Sequence, residues 1–254
     1  MNDLLNDPTV RLIFAGAVLL IFGIAQIILT GSISAGRRPR LRSIPVFNAL
    51  RSQLSRAIES GRALHVSVGT GSISGEDTAT TLAGMAIVEY LADEAAASGI
   101  APVITTADPT TLILVEDTLR RPHVRQGDLS SYSSLSAQLL ALNPTQYSAA
   151  AMDYLAHNPV SANVMSGVFG PEVALIDHEA DKRSLPQLLG ATDPRALAVM
   201  TATNDNVLIG EEVFAAKAYL QARPTHLASL RAQDILRWAI VAGTMVWFII
   251  NLGK

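Results

Sequence analysis

Residues 63–77 read ALHVSVGTGSISGED, and this stretch indicates how the chain folds. Residues 63–68 form a short apolar run, which predicts a buried strand, and the loop that follows is rich in glycine. Residues 78–97 carry apolar side chains at helical spacing and end before Gly99, which predicts a long helix. A strand, a glycine-rich loop and a helix in this order are typical of α/β proteins.

The same alternation continues outward from this unit. Asp108-Pro109 and Asp193-Pro194 each place a capping residue before a proline, which is a common helix start. Strands are predicted at residues 102–106, 163–168, 173–176 and 196–201, and helices at 110–120, 146–156 and 210–221. These elements predict an α/β, Rossmann-like fold, with a mainly parallel sheet flanked by helices.

The two ends of the chain are far more apolar than its middle. Charged residues make up 16% of the sequence, against about 25% in an average soluble domain. Residues 12–30 carry no charge, and residues 235–252 carry only Arg237. Each run is long enough for a hydrocarbon core of about 30 Å, so we predict that the α/β body is inserted between two transmembrane helices. A cleaved signal peptide and a buried C-terminal helix are the respective alternatives.

Basic residues predict the orientation of these helices. Residues 31–62 hold seven basic residues and one acidic residue. Four of them form a basic collar that we expect to face lipid: Arg37, Arg38, Arg40 and Arg42. By the positive-inside rule, the body is cytoplasmic and both termini lie outside the inner (plasma) membrane.

The predicted domains follow from these boundaries. They are an extracytoplasmic N-terminus (1–11), transmembrane helix 1 (12–30), the collar with an amphipathic helix (31–62), the cytoplasmic α/β domain (63–222), a linker helix (223–234) and transmembrane helix 2 (235–252). The amphipathic helix at residues 43–59 either lies on the membrane or packs on the body.

Charge and composition exclude several classes of partner. Residues 63–222 contain seven basic and eighteen acidic residues, a net charge of −11, which argues against nucleic acid. The chain has no cysteine, so it is neither a disulfide scaffold nor a cysteine-ligated metal protein. Asp177, His178 and Glu179 are interpreted as a solvated acidic loop rather than a metal site. We expect no cofactor.

The strongest candidate for a ligand site is the loop at residues 69–77. Its G-x-G-x-x-x-G spacing is one residue longer than a dinucleotide fingerprint, and it lacks the lysine of a P-loop. Glu76 and Asp77 would repel a phosphate. A tight structural turn or a subunit contact is the favoured explanation of the glycines. If the loop binds a ligand, residues at the ends of later strands should join it, giving the set Gly69, Thr70, Gly71, Ser72, Gly75, Asp108 and Asp205.

Several sequence blocks are distinctive beyond these patterns. They are LHVSVGTGSISGEDTATTLAG (64–84), ADP (107–109), FGPEVALI (169–176), GATDP (190–194) and LIGEEVFAAKAYL (208–220). Together they resemble a family of bacterial membrane proteins catalogued only as a domain of unknown function. The resemblance covers residues 62–220 and implies one membrane-anchored α/β domain. It implies no activity and no catalytic residue.

These observations favour a membrane-anchored α/β scaffold or interaction protein that self-associates without evident catalysis. Its expected partners are the lipid bilayer, a second copy of the chain and other membrane proteins. The alternative is a membrane-bound enzyme or sensor that binds a nucleotide-like or phosphate ligand at residues 69–77.

Overall fold

The computed structural model describes residues 8–37 and 39–252. Arg38 of the predicted collar and residues 1–7 of the predicted N-terminus lie outside the described residues. The chain divides into two compact units. One unit is Ser43–Gln221, called the head below, and the other contains the two ends of the chain.

The head is built on a parallel sheet. Its described strands are β1 (Leu64–Gly69), β2 (Val103–Thr106), β3 (Ala137–Leu139), β4 (Ala162–Val168), β5 (Gln187–Ala191) and β6 (Val207–Ile209). They lie in the order β3-β2-β1-β4-β5-β6, and every neighbouring pair is parallel. This order is that of a Rossmann-like doubly wound sheet, so the predicted fold class is confirmed.

Helices connect the strands and form the two ends of the chain. Within the described residues they are α1 (Pro8–Ser34), α2 (Pro45–Ser60), α3 (Thr78–Ser98), α4 (Pro109–Gln126), α5 (Pro144–His157), α6 (Ala174–Lys182), α7 (Pro194–Thr203), α8 (Ala216–Leu220) and α9 (Pro224–Leu252). Short 3-10 turns occupy Leu129–Ser131, Ser134–Ser136, Pro171–Val173 and Gly210–Ala215.

Alternating side chains of the strands build two apolar layers, one on each face of the sheet. Val164 and Leu188 contribute to the layer that also contains apolar residues of α2, α3, α4 and α8. Met165 and Leu189 contribute to the opposite layer, with α5, α6 and α7. Because successive side chains of a strand point to opposite faces, both faces are covered by helices. The apolar face of α2 is therefore part of the core of the head.

Two predicted strands are helical in the structure. Residues 173–176 belong to a 3-10 turn and the start of α6, and residues 196–201 lie inside α7. The second error arises because the run ALAVMT is as apolar as a buried strand. The cap decides its conformation: Asp193 accepts a hydrogen bond from the Arg195 backbone N–H, and Pro194 starts the helix. The short strands β3, β5 and β6 were not predicted.

The unit formed by the chain ends contains α1 and α9, which pack against each other. The side-chain amide of Gln26 donates a hydrogen bond to the Thr225 carbonyl, at 3.0 Å. The described collar residues Arg37, Arg40 and Arg42 are exposed. Across residues 8–37 and 39–252, no helix reaches the length and apolarity needed to span a bilayer. The prediction of two transmembrane helices therefore finds no support in the described residues.

Candidate functional site

The candidate site lies at the carboxyl edge of the sheet, where β1 and β4 are neighbours. From β1 the chain builds β2 and β3 on one side, and from β4 it builds β5 and β6 on the other. Ligands of open α/β sheets bind in the crevice at such a switch in strand order. The loop at residues 69–77 follows β1 and starts at this point.

The first two glycines of the loop allow the chain to pack on itself. Gly69 has a φ of +78°, and a β-carbon there would lie 2.0 Å from the Val168 carbonyl oxygen. The Thr70 N–H donates to that same oxygen at 2.9 Å. A β-carbon on Gly71 would lie 2.5 Å from Cγ2 of Val168 and 2.3 Å from Oγ1 of Thr81. On the side where a β-carbon would point, these two glycines are therefore packed against β4 and α3.

Two further glycines allow close approach in the same contact between α3, β1 and β4. A β-carbon on Gly84 of α3 would lie 2.2 Å from the Ser166 carbonyl oxygen. A β-carbon on Gly167 would lie 2.2 Å from the Val68 carbonyl oxygen. Because α3, β1 and β4 approach to backbone contact, the crossover helix rests directly on the switch point.

The rest of the loop is tied to the β2–α4 connection by hydroxyl groups. Ser72 Oγ lies 2.9 Å from Ser74 Oγ and 3.2 Å from Thr110 Oγ1. Thr111 Oγ1 donates to the Gly71 carbonyl at 2.9 Å. Gly75 lies beyond these contacts, exposed and with open space around its α-carbon. The structure thus brings the predicted loop residues together with the start of α4.

Asp108 joins this group as a helix cap. Its Oδ1 accepts hydrogen bonds from the Thr111 backbone N–H, at 2.8 Å, and from the Thr110 hydroxyl. Burial acts to raise the pKa of Asp108, but these hydrogen bonds outweigh it and hold the pKa below its usual value. The carboxylate therefore stays ionised and is engaged by α4.

In other loops at this edge, side-chain oxygens also accept hydrogen bonds from nearby backbone N–H groups. Glu172 Oε1 accepts from the Gly170 N–H at 3.0 Å, and Asp193 Oδ1 accepts from the Arg195 N–H at 2.8 Å. Asn143 Oδ1 accepts from the Thr145 N–H at 3.0 Å after β3. In these three loops, a backbone N–H group that could attract an anion is thus bound by a side-chain oxygen of the same chain.

Asp205 does not belong to this edge. It follows α7 and precedes β6, so it lies at the amino edge of the parallel sheet. The prediction that Asp205 joins the glycine loop depends on a strand at residues 196–201. Because that segment is helical, the residues after it begin a strand rather than end one.

A chain of buried polar side chains crosses the face that is covered by α5, α6 and α7. His65 Nδ1 lies 2.8 Å from Asn163 Oδ1, and His65 Nε2 lies 3.0 Å from Thr105 Oγ1. Asn163 Nδ2 donates to Gln187 Oε1 at 3.2 Å. Gln187 Nε2 donates to Asp177 Oδ1 at 2.7 Å. Four strands are joined to α6 by these hydrogen bonds.

The buried chain extends at both ends. The Thr203 hydroxyl donates to Asp177 Oδ2. At the other end the Tyr147 hydroxyl lies 2.9 Å from Thr105 Oγ1 and also contacts Ser67 Oγ. Burial raises the pKa of Tyr147 to about 12, although hydrogen bonds with Ser67 and Thr105 act in the opposite direction. Tyr147 is therefore a neutral hydroxyl that closes the network beneath the glycine loop.

The carboxylate of Asp177 sets the direction of every hydrogen bond between it and His65. Because Gln187 donates to Asp177, its oxygen accepts from the Asn163 amide, and the Asn163 oxygen must accept from His65. His65 therefore carries a proton on Nδ1, and in the neutral ring Nε2 accepts from Thr105. Burial lowers the pKa of His65 to about 4, the hydrogen bond to Asn163 acting the other way.

The network indicates a structural role for side chains that could otherwise be interpreted as catalytic or metal-binding. His65 is fully buried, as expected for a core histidine. Asp177 and Glu179 are also buried, on α6, so the interpretation of this segment as a solvated acidic loop is wrong. Within the described residues, no three His, Cys, Asp or Glu side chains group in a way that could hold a metal ion.

Two substitutions in the glycine loop compare the stability cost of a side chain at a packed glycine with the cost at an exposed one. We expect Gly71→Ala to lower the free energy of unfolding by about 1–3 kcal/mol, because the new β-carbon meets Val168 and Thr81. Gly75→Ala, with open space around it, should stay within about 0.5 kcal/mol of the parent chain. Thermal unfolding of the full chain in mild detergent measures both. Equal stability of the two variants would contradict the packing role of Gly71.

The low pKa of His65 predicts a pH-dependent stability. Between pH 6.5 and about 4 the unfolded chain binds a proton at His65 that the folded chain does not. The contribution of His65 to the free energy of unfolding is therefore fully present above pH 6.5. It decreases by about 2 kcal/mol as the pH is lowered from 7 to 5. We expect the free energy of unfolding, measured with denaturant, to change between pH 7 and pH 5 by about 2 kcal/mol more in the parent chain than in His65→Gln. Identical slopes would show that His65 does not titrate in this range.

Comparison with known proteins adds a family and no chemistry. The chain matches the family described as Domain of unknown function (DUF6754) over residues 8–253. No curated protein and no solved structure matches it. Since the match covers nearly the whole sequence, from α1 to the end of α9, the chain belongs to the DUF6754 family.

Proposed function

We propose that this protein is a membrane-anchored α/β scaffold whose head associates with a second copy and carries out no catalysis. The observation that supports it best is the use of the β1–β4 switch point for internal packing. Gly69 and Gly71 contact β4 directly, and Asp108 is engaged as a helix cap. A Rossmann-like sheet that uses its switch point for contacts within its own chain is suited to holding a shape.

The exposed side chains of α1 and α9 support the membrane anchor. Many exposed apolar side chains on one helix are costly in water, and lipid would cover them. We propose that both helices insert in the plasma membrane, with the head on the cytoplasmic side and both termini outside. The large exposed apolar residues are Leu12, Ile13, Leu19, Leu20, Ile21, Ile24, Ile27 and Ile28 in α1, and Ile235, Trp238, Ile240, Val241, Met245, Val246, Trp247, Phe248, Ile249 and Leu252 in α9.

The collar supports the same orientation. Arg37, Arg40 and Arg42 are exposed in the segment that follows α1. Each basic residue near an anionic leaflet contributes about 1 kcal/mol of attraction. The head, with its net charge of −11 over residues 63–222, is repelled by the same surface. The two charges together favour a head that stands away from the lipid.

One observation favours the alternative, a nucleotide-like or phosphate ligand at residues 69–77. The N-cap residue of α3, Asp77, makes no capping hydrogen bond with its side chain. Against this stand the exposed carboxylates of Glu76 and Asp77, which repel an anion at that helix start. A rise in the melting temperature of the full chain with ATP, NAD⁺ or inorganic phosphate, lost in Gly75→Asp, would replace the scaffold by this function.

Membrane attachment and sidedness are testable in one background because the chain has no cysteine. The full chain should remain in the membrane pellet after alkaline carbonate and enter solution only with detergent. Ser74→Cys, in the exposed part of the loop, should react with a membrane-impermeant maleimide only in inverted vesicles. Lys254→Cys should react only in right-side-out vesicles.

Two results would contradict this proposal. Release of the parent chain by carbonate would show that α1 and α9 do not insert. Labelling of Ser74→Cys from outside would reverse the orientation. As a matched pair, Leu20→Lys should weaken attachment, because it places a charge on the exposed surface of α1, whereas Leu20→Met should not.

A further inference from the structure

We propose that two heads join through strand β3, edge to edge, so that the occupant of this surface is a second copy of the chain. This inference rests on the proposed self-association and names the surface that performs it. It is carried by three properties of β3 and its neighbours, which are the open strand edge, the absence of charge and the exposed leucines.

Strand β3 is an open edge of the sheet. It pairs with β2 through Ile104↔Ala137, Thr105↔Gln138 and Thr106↔Leu139. In the described part of the chain no strand lies on its other side. Main-chain N–H and C=O groups on an open edge are ready to pair with another strand, and proteins usually block such an edge with charge or proline.

Neither β3 nor the chain on either side of it carries a charged side chain. Residues 129–152 contain no Asp, Glu, Lys or Arg, although the rest of the head is strongly acidic. Two acidic heads repel each other wherever carboxylates meet. Residues 129–152 bring no charge of their own against a second acidic head, and this favours a second copy over a basic partner.

Exposed leucines surround the same strand. Leu135 is 77% exposed, Leu142 is 68%, Leu129 is 51% and Leu139 is 39%. These side chains lie in the strand or within a few residues of it, so edge pairing would bring them under a second copy. Removing apolar area from water favours association, and it adds to the main-chain hydrogen bonds that two edges can exchange.

The opposite edge of the sheet shows how this chain blocks a strand. β6 is followed by Glu211 and Glu212 and preceded by Asp205, so two β6 edges would bring carboxylates together. Glu212 Oε2 also accepts a hydrogen bond from the Ile209 N–H, at 3.1 Å. β6 is therefore protected by charge and by a side chain, and β3 has no equivalent protection among the described residues.

Two identical edges meet most simply about a two-fold axis, and this makes the strands antiparallel. Residues on the axis then face their own copies, with Cα atoms about 4.5–5.5 Å apart. A disulfide spans Cα atoms about 4.4–6.8 Å apart, so a single cysteine on the axis should cross-link to itself. The pairing would continue the sheet from one head into the other.

Cysteine cross-linking in native membranes tests the surface. Single cysteines are placed in the full chain at Leu135, Gln138 and Leu139, and at Ile209 on β6 as the matched control. After copper–phenanthroline oxidation, we expect a covalent dimer from one or more β3 positions and none from Ile209→Cys. Because Ile209 is 55% exposed, poor accessibility would not explain the absence of a cross-link at this position.

The outcomes separate this inference from the proposed function. A dimer from Ile209→Cys without one from β3 would overturn the β3 surface but keep self-association, and equal dimers from both edges would overturn it as well. No dimer from either edge, with a monomer mass in mild detergent, would overturn both.

Charge substitutions provide a second measurement. Leu135→Glu and Leu142→Glu should each weaken dimerisation by about tenfold or more, because each places a carboxylate in the apolar contact. Leu175→Glu, on exposed surface of α6, is the matched control and should leave the dissociation constant unchanged. Unchanged dimerisation in both β3 variants would contradict the inference.

Discussion

The close approach of β1 to β4 is the contact on which the head depends. Gly69 and Gly71 bring the end of β1 against Val168, and Gly84 brings α3 against Ser166. With side chains at these positions, the crossover helix could not rest on the switch point of the sheet. The contact that holds the doubly wound order together lies at the switch point where such folds usually bind a ligand, so the sheet order and the proposed scaffold depend on the same residues.

The buried hydrogen-bond chain adds a second constraint on the same sheet. Asp177 orients Gln187 and Asn163, and these in turn fix the tautomer of His65. A buried polar network of this kind is costly unless every member is satisfied, and it therefore favours one strand register over slipped ones. This network and the apolar layer of α5, α6 and α7 share one face of the sheet.

The sequence predicts the parts of this fold that carry long, unambiguous patterns. β1, α3 and the parallel α/β class follow from an apolar run, a glycine loop and a striped helix. The run at residues 196–201 was misassigned because its apolar residues fit a strand as well as a helix, and the cap at Asp193 decided between them. That error moved Asp205 to the wrong edge. The polar chain was missed because its members are far apart in sequence, although His65, Ser67 and Asn163 inside predicted strands were a usable signal.

Native mass spectrometry of the full chain released from lipid nanodiscs distinguishes a dimeric scaffold from a ligand-binding monomer, because it counts chains and retained small molecules together. For a dimeric scaffold we expect a mass of two chains of 26.9 kDa each, with lipid as the only retained small molecule. A single chain that carries a bound nucleotide or phosphate would contradict the account, since it would show a monomer with an occupied crevice.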